Sequence, residues 1–206
     1  KFVRNELDKT NSVEEAFTNI TVGSGLDLDN SINRDYIAYD FDNNGFIDIL
    51  GGGNKILFNK GNNIFEPTTY GSIDVGAIGD LNNDGFLDIL NDFGNANVRY
   101  AIPNGNNWLK ITTKGIASNS NGIGARIEIY GAWGKQIRDV RSGEGFEFMS
   151  SLNAHFGLGT ATTIDQVVIK WPSGVVDTFT DVAPNQVLNV VEGQTLGTSA
   201  YDSFVF

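Results

Sequence analysis

In the second half of the chain apolar and polar residues alternate with a period of two. Leu109 and Ile111 flank Lys110, Ile127 and Ile129 flank Glu128, and Ile137 sits between Gln136 and Arg138. Side chains of an extended strand point alternately to its two faces, so these segments (108–113, 125–130 and 136–141) put one face on a core and the other toward water. Four further short runs, 154–158, 166–171, 175–179 and 187–191, also read as strands. Seven strands in fewer than ninety residues, separated by glycine-rich turns, predict a two-sheet β-sandwich over 106–193, with a domain boundary near Gly105.

The first half has shorter apolar runs, and two of them follow the same acidic loop. Asp40-Phe-Asp42-Asn-Asn44-Gly45-Phe46-Ile47-Asp48 recurs forty positions later as Asp80-Leu-Asn82-Asn-Asp84-Gly85-Phe86-Leu87-Asp88. Side chains at positions one, three and five, a glycine at six and a carboxylate at nine suit a Ca²⁺ ion. Oxygens then converge from side chains and one backbone carbonyl, and the glycine allows the sharp turn. Asp, Asn and Gly also build ordinary turns through local hydrogen bonds and positive φ. Two copies in register, each with three carboxylates and one Asn at the four side-chain positions, favour the ion. Position twelve holds Gly51 or Asn91 and not the glutamate of a helical EF-hand, and the residues that follow are β-like. The loops are therefore expected to join strands.

The repeat reaches beyond the loops. Phe2-Val3-Arg4-Asn5 followed by Phe17 parallels Ile56-Leu57-Phe58-Asn59 followed by Phe65, and Val98-Arg99-Tyr100 begins a shortened third version. A period near forty with short strands points to propeller blades or another stacked β array over 1–105. Two and a half units cannot close a ring, so further N-terminal blades of the same protein are expected. This half resembles the FG-GAP or VCBS repeat family, whose blades carry an Asp-x-Asp-x-Asp-Gly-x-x-Asp calcium loop between strands. The resemblance implies one ion held by Asp40, Asp42, Asn44, Asp48 and the Phe46 carbonyl. A second would be held by Asp80, Asn82, Asp84, Asp88 and the Phe86 carbonyl. Asn44 and Asn82 each replace an acid and keep an oxygen ligand, which implies weaker binding.

A second resemblance covers about 107–192. Asn107-Trp108-Leu109-Lys110, Gly122-Ile123-Gly124-Ala125-Arg126, Val140-Arg141-Ser142-Gly143, His155-Phe156-Gly157-Leu158-Gly159, Trp171-Pro172-Ser173-Gly174 and Asn185-Gln186-Val187-Leu188 occur in that order. The succession resembles the ASPIC/UnbV domain, which commonly follows FG-GAP repeats in secreted or surface proteins. The whole arrangement is similar to that of secreted cartilage-acidic-protein-like proteins. From 194 to 206 the small, polar composition suggests a linker or the start of a further C-terminal module.

Composition narrows the function. The net charge of −11, with only 14 scattered Lys and Arg, argues against nucleic acid as partner. Without cysteine there is neither a disulfide framework nor a thiolate metal site, and no apolar run is long enough to span a bilayer. The chain starts at Lys1 without a signal-like segment, so the true N-terminus is expected elsewhere. Millimolar extracellular calcium suits weak loop sites and points to a secreted or cell-surface location.

No residue stands out as catalytic. His155 is the single histidine, there is no Gly-x-Ser-x-Gly elbow, and its place in an alternating strand suggests a structural role. Asp139, Arg141, Glu144 and Glu147 could form an acid pair with a substrate-binding arginine, yet solvated charges explain them equally well. Trp133 in a Gly-Ala-Trp-Gly turn is the best aromatic for contact with a ligand, whereas Trp108 and Trp171 suit the edges of a core. These readings lead to an exported, calcium-stabilised, non-catalytic binding or adhesion module for a surface, glycan or protein partner. The alternatives are part of a carbohydrate-active enzyme, and a structural adaptor between propeller and export signal.

Overall fold

A computed structural model describes residues 2–6, 16–28, 36–51, 54–71, 73–91, 97–144 and 148–195. Glu147 and the 196–206 part of the expected linker lie outside the described residues. The fold is all-β, and among the described residues the helical content is a 3-10 turn at Leu26–Leu28. Contacts divide the chain into two units, Lys1–Phe41 with Phe46–Val75 and Asp42–Gly45 with Gly76–Phe206. The boundary expected near Gly105 thus falls inside the second unit.

In the first unit β1 (Val3–Asn5) pairs with β2 (Phe17–Asn19). A four-stranded antiparallel sheet runs β3 (Ile37–Tyr39), β4 (Asp48–Gly51), β5 (Lys55–Asn59) and β6 (Phe65–Thr69) in order. Ile37, Leu50, Leu57 and Phe65 are buried on it. Asn5 faces Phe17 as Asn59 faces Phe65, so the two segments that are parallel in sequence also pair alike.

The second unit opens with an antiparallel sheet of β7 (Ala77–Gly79), β8 (Asp88–Asn91) and β9 (Asn97–Arg99). Its register repeats that of β3 and β4 forty positions on. Ile37 faces Leu50 and Tyr39 faces Asp48, while Ala77 faces Leu90 and Gly79 faces Asp88. Loop geometry repeats as well: Asn43 and Asn83 have φ of 56° and 59°, and Gly45 and Gly85 of 93° and 85°. The two loops thus join strands, and among the described residues none of the sheets closes on itself.

Seven strands follow: β10 (Asn107–Lys114), β11 (Arg126–Gly131), β12 (Gly134–Asp139), β13 (Ala154–Gly159), β14 (Ile164–Lys170), β15 (Val176–Val182) and β16 (Gln186–Val191). One sheet has the order β13-β10-β16, with β10 and β16 parallel, and the other the order β12-β11-β14-β15. Leu109, Ile111, Ile127, Ile129, Phe156, Ile164, Val167 and Ile169 form one core drawn from both sheets, each without measurable exposure. Burying side chains of this size contributes roughly 1.5–3 kcal/mol apiece, so the two sheets stand as a sandwich.

The polar face of β10 departs from the alternation rule. Lys110 and its cross-strand neighbour His155 are only 5% and 4% exposed. Leu109 and Ile111 do enter the core, but the opposite face meets the loops around Asn43 and Asp80 and not water. Residues past Gly193 are also held: the Thr195 N–H and hydroxyl donate to Asp177 Oδ1 at 2.8 and 2.7 Å.

Candidate functional site

The two acidic loops present one carboxylate in the same way. Asp48 Oδ2 accepts the Phe41 N–H at 2.8 Å and its Oδ1 the Asn59 N–H at 2.7 Å. Asp88 does the same with Leu81 and Ala101, at 2.8 and 2.9 Å. The position-nine carboxylate therefore fastens the start of its loop to a later segment of the chain, at Asn59 in β5 and at Ala101 just past β9.

In the first loop Asp40, Asp42 and Asp48 each bring one oxygen to within 4.8 Å of the other two. Asp40 and Asp48 are buried and Asp42 is half-buried. At such separations two carboxylates repel by about 3 kcal/mol or more at an effective dielectric near 20. A divalent cation would turn that repulsion into attraction. The Asn44 N–H donates to Asp42 Oδ1 at 3.1 Å and its amide to Oδ2 at 3.2 Å, and Phe46 follows with its ring half exposed.

The second loop is wired differently. Lys110 Nζ lies 2.7 Å from Asp80 Oδ2 and 3.3 Å from Asn83 Oδ1. The Gly85 N–H also donates to Asp80 Oδ2, at 3.1 Å. Asn82 donates its amide to Asp84 Oδ2 at 2.8 Å and accepts the Asp84 N–H at 3.1 Å; Phe86, with a buried ring, donates its N–H to Asp84 Oδ1 at 2.8 Å. Among the described residues only Asp40, Asp42 and Asp48 gather into a trio of this kind.

His155 sits under the first loop. The Asn43 amide donates to the Gly85 carbonyl at 2.9 Å, so its Oδ1 is the acceptor that faces His155 Nε2 at 2.7 Å. Nε2 therefore carries the proton. Nδ1 is buried without a hydrogen-bond partner among the described residues. Burial, helped by the positive charges of Arg138 and Lys110, lowers the imidazole pKa to about 3. Trp108 stacks on the ring, with centroids 6.5 Å apart. A buried neutral imidazole bound in this way is a packing residue.

The charges of the expected acid pair are engaged separately: Asp139 with Arg126 at 2.9 Å and Glu144 with Arg141 at 2.6 Å. Trp133 is half-buried against the sandwich core, and its ring lies over Gly131, where a Cβ would meet it at 2.3 Å. It is thus a partly packed ring.

Two buried acids that sequence reasoning missed pin the sandwich. Asp177 accepts the Trp171 indole N–H and the Gly193 N–H at 2.7 Å each, besides the bonds from Thr195. Glu192 accepts the N–H groups of Ile116 and Ser118 at 2.6 and 2.7 Å and the hydroxyls of Ser118 and Ser173. Burial pushes both carboxyls up, yet the converging donors outweigh it, holding Asp177 low and Glu192 at about 2. A partner-free carboxylate signal does not exist in sequence, so neither was legible there.

No helix among the described residues is long and apolar enough to cross a membrane. No curated protein matches the chain. Residues 115–197, which hold β11 to β16 and both pinning acids, match the family model described as ASPIC and UnbV, the family that the C-terminal motifs resemble.

Proposed function

We propose that this chain is a calcium-stabilised, non-catalytic part of an exported protein that binds a glycan or protein at a surface. The observation that carries the calcium reading is the convergence of Asp40, Asp42 and Asp48 oxygens within 4.8 Å. All-oxygen carboxylate donors on a short loop fit a hard dication. Asn44 and the Phe46 carbonyl would complete the shell that the FG-GAP/VCBS resemblance implies, and the matching registers of β3-β4 and β7-β8 support reading these sheets as propeller blades. The ion's role is structural: it offsets repulsion among three acids and ties the two ends of the loop together.

The non-catalytic reading is supported by what the ionisable groups do. His155 is committed to Asn43, Asp177 and Glu192 to backbone and hydroxyl donors, and Glu128 to Lys170 and Tyr130. Melting the chain in millimolar calcium and then in chelator tests the proposal. With calcium at ten to a hundred times its dissociation constant, linkage adds about 1.4 to 2.7 kcal/mol per site, so the transition should rise by several degrees. An unchanged transition removes the structural role. Screening immobilised glycans and surface proteins in calcium tests the binding half, and its partner contact should weaken when chelator melts the loop.

A further inference from the structure

We infer that only the first acidic loop takes a divalent cation, and that in the second the ammonium of Lys110 replaces the ion; this rests on the calcium reading of the first loop. The two loops share their position-one and position-nine aspartates, their glycine, its backbone conformation and the bonding of Asp48 and Asp88. Asp80, the counterpart of Asp40, holds Lys110 Nζ at 2.7 Å, and the two side chains are 1% and 6% exposed.

Lys110 cannot readily withdraw. Its strand β10 is hydrogen-bonded to β13 on one side and β16 on the other, which fixes the direction of its side chain. The ammonium also stands 6.0 Å from the Trp108 ring centroid and bonds Asn83. A dication entering the loop would share the Asp80 carboxylate with a buried ammonium, against like-charge repulsion. Otherwise it would expel that ammonium from its only close acid among the described contacts, leaving it dry and unpaired. The third acid differs too. Asp42 lies beside Asp40 and Asp48, whereas the second loop has Asn82 there, with its amide turned to Asp84. Asp80 Oδ1 remains buried without a hydrogen-bond partner among the described residues. It is the ligand atom a cation would find if Lys110 were gone.

Calcium titration of the full chain, read as stoichiometry, tests this. The wild type should bind one ion. Asp42→Asn should weaken binding of that ion, Asp84→Asn should leave it unchanged, and Lys110→Met should raise the count to two. Two ions in the wild type, one of them lost in Asp84→Asn, would overturn the inference and leave the first-loop reading standing; so would a count that stays at one in Lys110→Met. No binding at all would overturn the first-loop reading and the inference with it. Because Lys110→Met strands a buried carboxylate, Lys110→Met/Asp80→Asn is melted beside it in chelator. The double variant should melt higher than the single one, and equal melting would remove the pairing on which the inference rests.

Discussion

His155 Nε2 donates a 2.7 Å hydrogen bond to Asn43 Oδ1, joining residues 112 positions apart in a buried contact. Because Asn43 turns its amide hydrogens to Gly85, it can only accept from the imidazole. Protonating Nδ1 would place a charge where no partner is provided.

That arrangement fixes a pH dependence. The folded imidazole titrates at about 3 against an ordinary 6.5, so in this window the unfolded chain holds the extra proton. Stability is full above about 6.5 and is lost as pH falls toward 3. Between pH 7 and 5, with calcium in excess, this group should cost about 2 kcal/mol. His155→Gln, whose amide can still donate to Asn43, should show that much less loss in denaturant melts over the same interval. Identical pH profiles would refute the assignment.

The loop glycines should respond unequally. Gly45 and Gly85 both have positive φ, so alanine at either is strained by about 1–2 kcal/mol. A Cβ at Gly45 has its nearest neighbour at 3.4 Å, the flexible end of Gln136, whereas at Gly85 it would lie 1.9 Å from the Trp108 ring. Gly85→Ala should therefore lose a further 1–3 kcal/mol or so from overpacking, measured as the difference between the two unfolding free energies.

Glu192→Gln should destabilise the sandwich by about 1.5–3 kcal/mol at pH 7, because four donors lose a charged acceptor. The wild-type carboxyl is held at about 2 against an ordinary 4.5. Its contribution is present above about 4.5 and fades as pH falls toward 2. The gap between variant and wild type should accordingly narrow in melts at pH 3.

The sandwich strands were legible because their alternation is local. Ile127, Glu128 and Ile129 announce β11 by themselves, and the expected Gly-Ala-Trp-Gly turn does join β11 to β12. The acidic loops were legible through Gly45 and Gly85, whose positions demand the left-handed turn that both adopt. What covers the far face of β10 was not. Lys110 reads as a solvated polar residue, since its pairing with Asp80 depends on packing thirty residues away that leaves no local pattern. That the Trp133 ring folds back over Gly131 was not legible either, because it is a rotamer choice and not a sequence signal. Asp177 and Glu192 stand in ordinary polar places, and only the backbone and hydroxyl donors that the fold brings to them make them pins.

The central claim is a dication held by the Asp40–Asp48 loop, and diffraction from crystals grown in calcium, with anomalous data collected on the calcium signal, addresses it most directly. The account predicts one peak at about 2.3–2.6 Å from oxygens of Asp40, Asp42 and Asp48. Data of equal quality with no peak there, or with the three carboxylates turned apart around water, would contradict it.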